Sequence, residues 1–332
     1  MLNSTQLITI IIVILALAFD FINGFHDTAN AIASSVTTRA LSPQKAILMS
    51  AGLNFIGALV STKVATTIGS GIIHDGGAPI KVVLAAIIAA IIWNLVTWYV
   101  GIPSSSSHAL IGGLIGAAIA FSGSIHTVNW ATFFIKVVLW LFLSPVIGFI
   151  FGYIVMTTIN WIFRKTKPAK ATKGFLKAQV LSAAFLAFNH GSNDAQKSMG
   201  IISLALFSGG VIGSFHVPLW VKLACATAMA LGTSVGGWRI IKTMGSGMAK
   251  LTPASGFSAD LTSSAVIFTA TMMDAPVSTT HIVSTSIMGV SAAKRLSAVR
   301  WGVAKNIVTT WVVTIPSCAL VGAIVSLIVN HI

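Results

Sequence analysis

Long apolar stretches alternate along this chain with short clusters of polar residues, and stretch lengths set the elements. Residues 82–100 and 137–156 contain no charged side chain. At 1.5 Å of rise per residue, each is long enough to cross a hydrocarbon layer of ~30 Å as a helix. In the first half the pattern predicts a broken segment over 5–22 and 27–38, then a long helix over 43–70. A pair over 81–100 and 104–121 follows, then a closing helix over 130–163. The second half predicts the same order over 178–190 with 194–207, 217–244, 259–274 with 277–292, and 300–330. Gly24, Gly191, Pro103 and Pro276 mark where helices are expected to break or begin. Hydropathy leaves open whether the pairs span fully or enter and leave as re-entrant hairpins.

The polar clusters come as two matching sets. Asn-Gly-Phe-His-Asp-Thr-Ala-Asn at 23–30 is answered by His-Gly-Ser-Asn-Asp-Ala-Gln-Lys at 190–197, which aligns Asp27 with Asp194 at a spacing of 167. Pro-Ser-Ser-Ser-Ser-His at 103–108 is answered by Pro-Val-Ser-Thr-Thr-His at 276–281, at 173. Pro43 and Pro218 differ by 175, as do Gly57 and Gly232. Gly69-Ser70-Gly71 recurs at 176, and Trp130, Trp140 and Pro145 recur at 171 as Trp301, Trp311 and Pro316. Landmarks of different chemistry keep one order, so the chain reads as two homologous halves, 1–163 and 178–332, joined by a linker over 164–177.

Composition places these halves in a membrane. Charged residues make up 8% of the chain and apolar ones 55%, where soluble domains carry about 25% charged residues. The fold class is therefore an all-α polytopic membrane protein. The net charge of +14 does not point to nucleic acid, because the basic residues collect between apolar segments, as the positive-inside bias produces. The linker carries Arg164, Lys165, Lys167, Lys170, Lys173 and Lys177 without an acid and is expected on the cytoplasmic side. Basic residues also mark the loops holding Arg239, Lys242 and Lys250, and Lys294, Arg295 and Arg300, whose first-half counterparts carry almost none. Equivalent loops of opposite charge character lie on opposite faces, so the repeats are expected to be inverted, with both termini outside. Their interrupted segments then meet near the bilayer midplane. Cys225 and Cys318 lie in apolar stretches without metal-ligand spacing and read as packing residues.

Polar groups in hydrocarbon are costly and are kept for moving something across. A Pro beside Ser residues starts a helix, whose first turn presents free N–H groups and a positive dipole end. With the hydroxyls of Ser105, Ser106 and Ser107, and of Ser278, Thr279 and Thr280, two such starts would make a cage for a compact oxyanion. Alternatively, these hydroxyls bond back to helix carbonyls and ease packing. Asp27, Asn30 and Ser34 share one helix face, and a carboxylate with an amide oxygen suits a small cation. Asp27 and Asp194 would equally cap half-helices. Asp194 has Asn193 and Gln196 beside it, and Lys197 stands where the first half has Asn30. The ammonium group either occupies the space of a bound cation or simply pairs or snorkels. His26, His108, His190 and His281 are candidate proton carriers, although His108 and His281 read more simply as bonding a carbonyl.

Asp274 and, less clearly, Asp20 read as further intramembrane acids, either for proton transfer or, for Asp274, as a residue that kinks a helix C-terminus. Asp260 reads as a helix-start acid at the interface and Asp75 as a loop acid. Lys63 and Lys136 read as snorkelling, and Trp93, Trp98, Trp130, Trp220, Trp301 and Trp311 as interfacial anchors. Clustered, duplicated serines without a single nucleophile argue against an intramembrane hydrolase, so no enzyme is expected.

Gly24-Phe25-His26-Asp27-Thr28-Ala29-Asn30 and Gly191-Ser192-Asn193-Asp194-Ala195-Gln196-Lys197, with the two Pro-Ser/Thr-His segments, resemble the duplicated signature of the inorganic phosphate transporter (PiT) family in its compact bacterial form. The resemblance implies a dimeric secondary transporter of the cell membrane that imports phosphate with a cation by alternating access and needs no cofactor. Phosphate would be held by the Ser105–Ser107 and Ser278–Thr280 clusters with Gln196. Asp27, Asn30, Asp194, Asn193, Lys197, His26 and Asp274 would couple the cation. His26 and Lys197 depart from the Asn-rich sodium-coupled pattern and resemble the branch described as carrying phosphate, or neutral metal–phosphate, with protons. A sulfate permease of the same fold is the alternative.

Overall fold

The computed structural model describes residues 3–73 and 78–331 and is nearly all helical. In chain order the first six helices are α1 (Ser4–Thr37), α2 (Pro43–Ala58), α3 (Lys63–Ser70), α4 (Ile80–Val100), α5 (Ser106–Ser122) and α6 (Trp130–Ile162). Six more follow as α7 (Pro168–Ser208), α8 (Leu219–Val235), α9 (Trp238–Lys242), α10 (Pro253–Met272), α11 (Thr279–Ala292) and α12 (Trp301–Asn330). Among the described residues, α1, α4, α6 and α12 are each long and apolar enough to cross a membrane, and α2 with α3 forms a further candidate bent by 72°.

Local chemistry accounts for many of the boundaries. Asn3 and Gln6 form a reciprocal capping box at the start of α1, and Thr252 and Ser255 another at α10. Gly101 and Gly123 end α4 and α5 in the left-handed region, at φ 76° and 68°. Small features recur at matching places in the two sets of helices. An isolated antiparallel bridge joins Ile73 to Val128 and another joins Ala249 to Val299. Trp130 donates its indole N–H to the Ile125 carbonyl at 2.9 Å, and Trp301 donates to that of Leu296 at 3.0 Å.

The two sets interleave. α2 packs on α7 and α8 on α1, while α5 packs along α12 and α11 along α6. This leaves α1 and α7 against each other in the middle. Close approach depends on glycine. A Cβ on Gly24 would come within 2.5 Å of the Met229 carbonyl, and one on Gly232 would run into the Phe21 carbonyl. On the mirror contact, Gly57 faces the Phe188 carbonyl and Gly191 the Asn54 backbone. Gly57→Val and Gly232→Val are expected to destabilise the fold by about 1–3 kcal/mol each, the cost of overpacking a filled contact. Thermal unfolding in detergent measures this, and unchanged melting in both variants would contradict the tight contact.

Several expected boundaries are corrected. α1 and α7 run unbroken through Gly24 and Gly191, because those glycines serve helix contact rather than a break. Asp27 and Asp194 are therefore mid-helix and cap nothing. The long helices expected over 43–70 and 217–244 are instead interrupted, after Ala58 and after Val235. The first interruption is stabilised from a distance, since Gln196 on α7 accepts from Val64 N–H at 2.8 Å and Ala65 N–H at 3.2 Å, capping α3. The basic stretch 164–177 is helical from Pro168 onward, and Arg239 and Lys242 lie on α9 rather than in a loop. α10 starts at Pro253, so Asp260 is not a helix-start acid but lies seven residues inside and fully buried. Trp311 is buried and stacks on His281 at 3.9 Å, not at an interface. Asp75 falls outside the described residues.

Candidate functional site

Where α1 and α7 meet the starts of α5 and α11, polar side chains from both sets form one buried cluster. Ser106 Oγ donates to Asn23 Oδ1 at 2.5 Å and to Asp27 Oδ2 at 3.2 Å. Thr280 donates to Asp27 Oδ1 at 3.4 Å, and Thr279 to Asp194 Oδ2 at 3.3 Å. Asn30 Nδ2 donates to both threonines, at 3.3 and 2.9 Å. Asn23 Nδ2 reaches Asp194 Oδ2 at 3.5 Å and links the two acidic motifs directly. Ser107 Oγ crosses between the sets to the Val277 carbonyl at 2.9 Å.

The two helix starts are built alike. Ser105 Oγ accepts the His108 N–H at 3.2 Å and Ser278 Oγ the His281 N–H, also at 3.2 Å. These two hydroxyls cap their helices, while the next residues turn toward the acids. Pro103 and Pro276 precede the caps and keep the chain extended there. α5 and α11 thus aim their positive ends at the carboxylates, an arrangement that stabilises buried negative charge.

Charge is arranged unevenly around the acids. Lys197 is almost wholly buried, with Nζ at 2.9 Å from Asp194 Oδ2, and His190 Nε2 lies 3.4 Å from the same oxygen. An ammonium this deep is paired rather than snorkelling. On the other side His26 Nδ1 sits 2.7 Å from Asp27 Oδ1, and its Nε2 lies 3.2 Å from Thr97. Ligand atoms of Asp27, Asp194 and His190 all fall within 4.8 Å of one another, close enough to share one cation. Asn30 Oδ1 and Asp194 Oδ1 are buried without a hydrogen-bond partner. Orphaned oxygens in a polar centre are what a bound cation or proton would satisfy.

Most of the expected residues converge here: Asp27, Asn30, Asp194, Lys197, His26, Ser106, Thr279 and Thr280, with Ser105, Ser107 and Ser278 at the helix starts. Three stand apart. Gln196 spends its carbonyl oxygen on α3 and its Nε2 on the Ser192 carbonyl, so its amide is not free for an anion. Asn193 turns to α10 and donates to Thr271 at 2.9 Å, the counterpart of the His26–Thr97 contact. Asp274 lies apart from the cluster, in the helix C-terminal place that was its other reading. It ends α10 with φ 59°, its side chain 45% exposed and 3.8 Å from Lys63. Lys136 donates to the Met273 carbonyl at 2.9 Å and so neutralises the C-terminus of α10. Asn23 and His190 are central here, though the sequence reading gave Asn23 no part and His190 only proton carriage. They occupy the first position of the two repeated motifs, and that alignment was the available signal. His108 and His281 bond no carbonyl but face each other, ring centres 5.0 Å apart.

A bundle of apolar helices around a buried polar centre built from both sets is the architecture of an integral membrane transport protein. The chain belongs to the phosphate transporter family, whose model matches residues 23–322. It is 52% identical to a Bacillus subtilis protein named a probable low-affinity inorganic phosphate transporter, over 98% of both chains. It is 48% identical to a Rhizobium meliloti protein of the same name, over 94% of both. Among solved structures it is similar to the sodium-dependent phosphate transporter, with TM-score 0.85 and 26% identity, covering 98% of this chain and 99% of that one. These relatives are named as transporters, not enzymes, and the sulfate alternative has no support among them.

Proposed function

We propose that this protein imports inorganic phosphate across the cell membrane by symport with a cation, using alternating access between two inverted repeats. The observation that carries this reading is the single hydrogen-bonded cluster in which Asp27 and Ser106 of one half meet Asp194, Thr279 and Thr280 of the other. Rocking one half against the other would open it to each side in turn. The halves are 1–163 and 178–332, with 164–177 cytoplasmic, the termini outside and two chains per dimer. Hydroxyls at the starts of α5 and α11 would release the carboxylates and hold the anion. A carboxylate acceptor favours phosphate, which brings a proton, over sulfate, which leaves that acceptor unmet.

Protons are the favoured coupling ion. Hard cations take oxygen ligands, whereas Asp194 is flanked by an ammonium and an imidazole. The sodium dependence named for the solved relative supports cation coupling in general. Phosphate travels alone or as a neutral metal–phosphate, whose metal would then be cargo. Purified protein in proteoliposomes is expected to accumulate labelled phosphate, chemically unchanged, under an imposed proton gradient, and to stop when an uncoupler is added. Accumulation driven only by sodium would overturn proton coupling, and equal competition by excess sulfate would overturn the substrate.

A further inference from the structure

Asp260 is a fully buried acid that the central cluster does not use. Ser34, two turns beyond Asp27 on the same face of α1, donates to its Oδ1 at 2.5 Å. Its Oδ2 and the amide Nε2 of Gln179, the α7 side chain beside it, approach each other without a well-formed hydrogen bond. Gln179 lies over Gly256, one turn before Asp260, and accepts from Thr38 at 2.7 Å. A buried acceptor and a buried donor are therefore only loosely paired within one seam between α1, α7 and α10. Groups so exposed to loss of hydration are satisfied by water or by a proton.

The seam belongs to one half only. Pro79 and Pro253, at the starts of α4 and α10, are 174 apart, so the counterpart of Asp260 is Ala86. Buried Ser264, one turn beyond Asp260, and Ser284 and Ser291 on the adjoining α11 also have unpartnered hydroxyls. Their counterparts are Ala90, Ile111 and Ala118, all apolar. A structural need shared by both repeats would not produce this difference. A route for protons on one side of the central cluster would. Along α1 the polar face continues from Asp27 to Ser34, about 10 Å at 1.5 Å per residue, toward the end where α7 leaves the basic stretch 164–177.

Among the described residues, no fixed charge balances Asp260. On the helices packed against α10, the titratable residues are Asp20, His26 and Asp27 on α1, and Lys170, Lys173, Lys177, His190, Asp194 and Lys197 on α7. α11 adds His281, α6 adds Lys136 and Tyr153, and α3 adds Lys63. Ser34 donates to its carboxyl group and Gln179 lies beside it, in an otherwise fully buried setting. An isolated carboxylate is too costly to leave ionised in such a place.

We propose that Asp260 is a second protonation station, taking up a proton from the central cluster and releasing it to water at the linker face in each transport cycle. The carboxylate gains the proton to become a carboxylic acid, held by Ser34, and loses it to water entering along Gln179 when that side opens. This deepens the proton-coupled reading and rests on it.

The test compares wild type with Asp260→Asn, which keeps size and the bond from Ser34, in proteoliposomes and by infrared spectroscopy. Exchange of labelled phosphate without gradients, which moves no net proton, is expected near the wild-type rate. Accumulation driven by a pH gradient is expected to fall by roughly a hundredfold, the low end of what losing a proton-transferring group costs. The carboxylic C=O stretch of the wild type should lose a component in the variant. Wild-type accumulation by the variant overturns the proposal, as does an equal loss of exchange and accumulation. If wild type ignores a pH gradient, the coupling reading fails by itself. The infrared band then still decides Asp260, because a carboxylate at every pH overturns its protonation.

Discussion

Asp27→Asn and Asp194→Asn are each expected to remove gradient-driven phosphate accumulation, for different reasons. In the first variant the amide oxygen, at the Oδ1 position, would still accept from Thr280 and keep its place beside His26, while the new NH2 at the Oδ2 position would donate to the Ser106 hydroxyl, whose own proton goes to Asn23. The helices should therefore stay assembled while the negative charge is gone. Asp194→Asn also strips Lys197 of its partner at 2.9 Å. Leaving one member of a buried pair unmatched costs about 3–5 kcal/mol, which corresponds to roughly a hundred- to several-thousandfold in an equilibrium. Uptake in proteoliposomes should therefore drop by about two orders of magnitude or more in both variants. Thermal stability should drop sharply only for Asp194→Asn. If both variants accumulate phosphate as the wild type does, the cluster is not where coupling occurs.

Lys197→Asn should have the other large effect, because it copies Asn30 of the first half into the second. It leaves Asp194 beside Asp27 and His190, with ligand atoms within 4.8 Å and no ammonium among them. Two carboxylates that close cannot both stay ionised without a cation between them. The new amide would also bring a second oxygen like Asn30 Oδ1, which is buried and unpartnered. In sodium-free buffer, uptake is expected to fall by roughly a hundredfold, as for other broken buried pairs. Added sodium should restore part of it. Full activity without sodium would mean that the Lys197 charge does not substitute for a cation.

Much of the site was legible because duplication exposes it. Asp27 aligns with Asp194, and Ser106 with Thr279, from the order of residues alone, since two copies of one polar cluster in apolar sequence are hard to mistake. Gln196 misled because its motif position says nothing about where its amide points; only the bend after Ala58 reveals two free N–H groups needing a cap. Asp274 left two readings open, because an acid beside a proline in an apolar run suits either a relay or a helix end; only the fold puts it at the C-terminus of α10, beside Lys63. Asp260 was undervalued for the opposite reason. Its local sequence resembles a helix start, and the additional turns of α10 before it come from the Thr252 capping box.

The linear order of residues was enough to establish a helical membrane protein and to show acids, amides and hydroxyls kept at matched points along two similar stretches. Hydrophobic length, charge bias and repetition are all properties of neighbours along the chain. Three-dimensional packing alone decided that Gly24 and Gly191 join helices rather than break them, and that Lys197 pairs instead of reaching for the surface. It also decided that Asn23 and His190 belong at the centre. Those outcomes depend on atoms brought together from distant parts of the chain, where close backbone contact and the cost of an unmatched buried charge choose among arrangements that local sequence leaves equal.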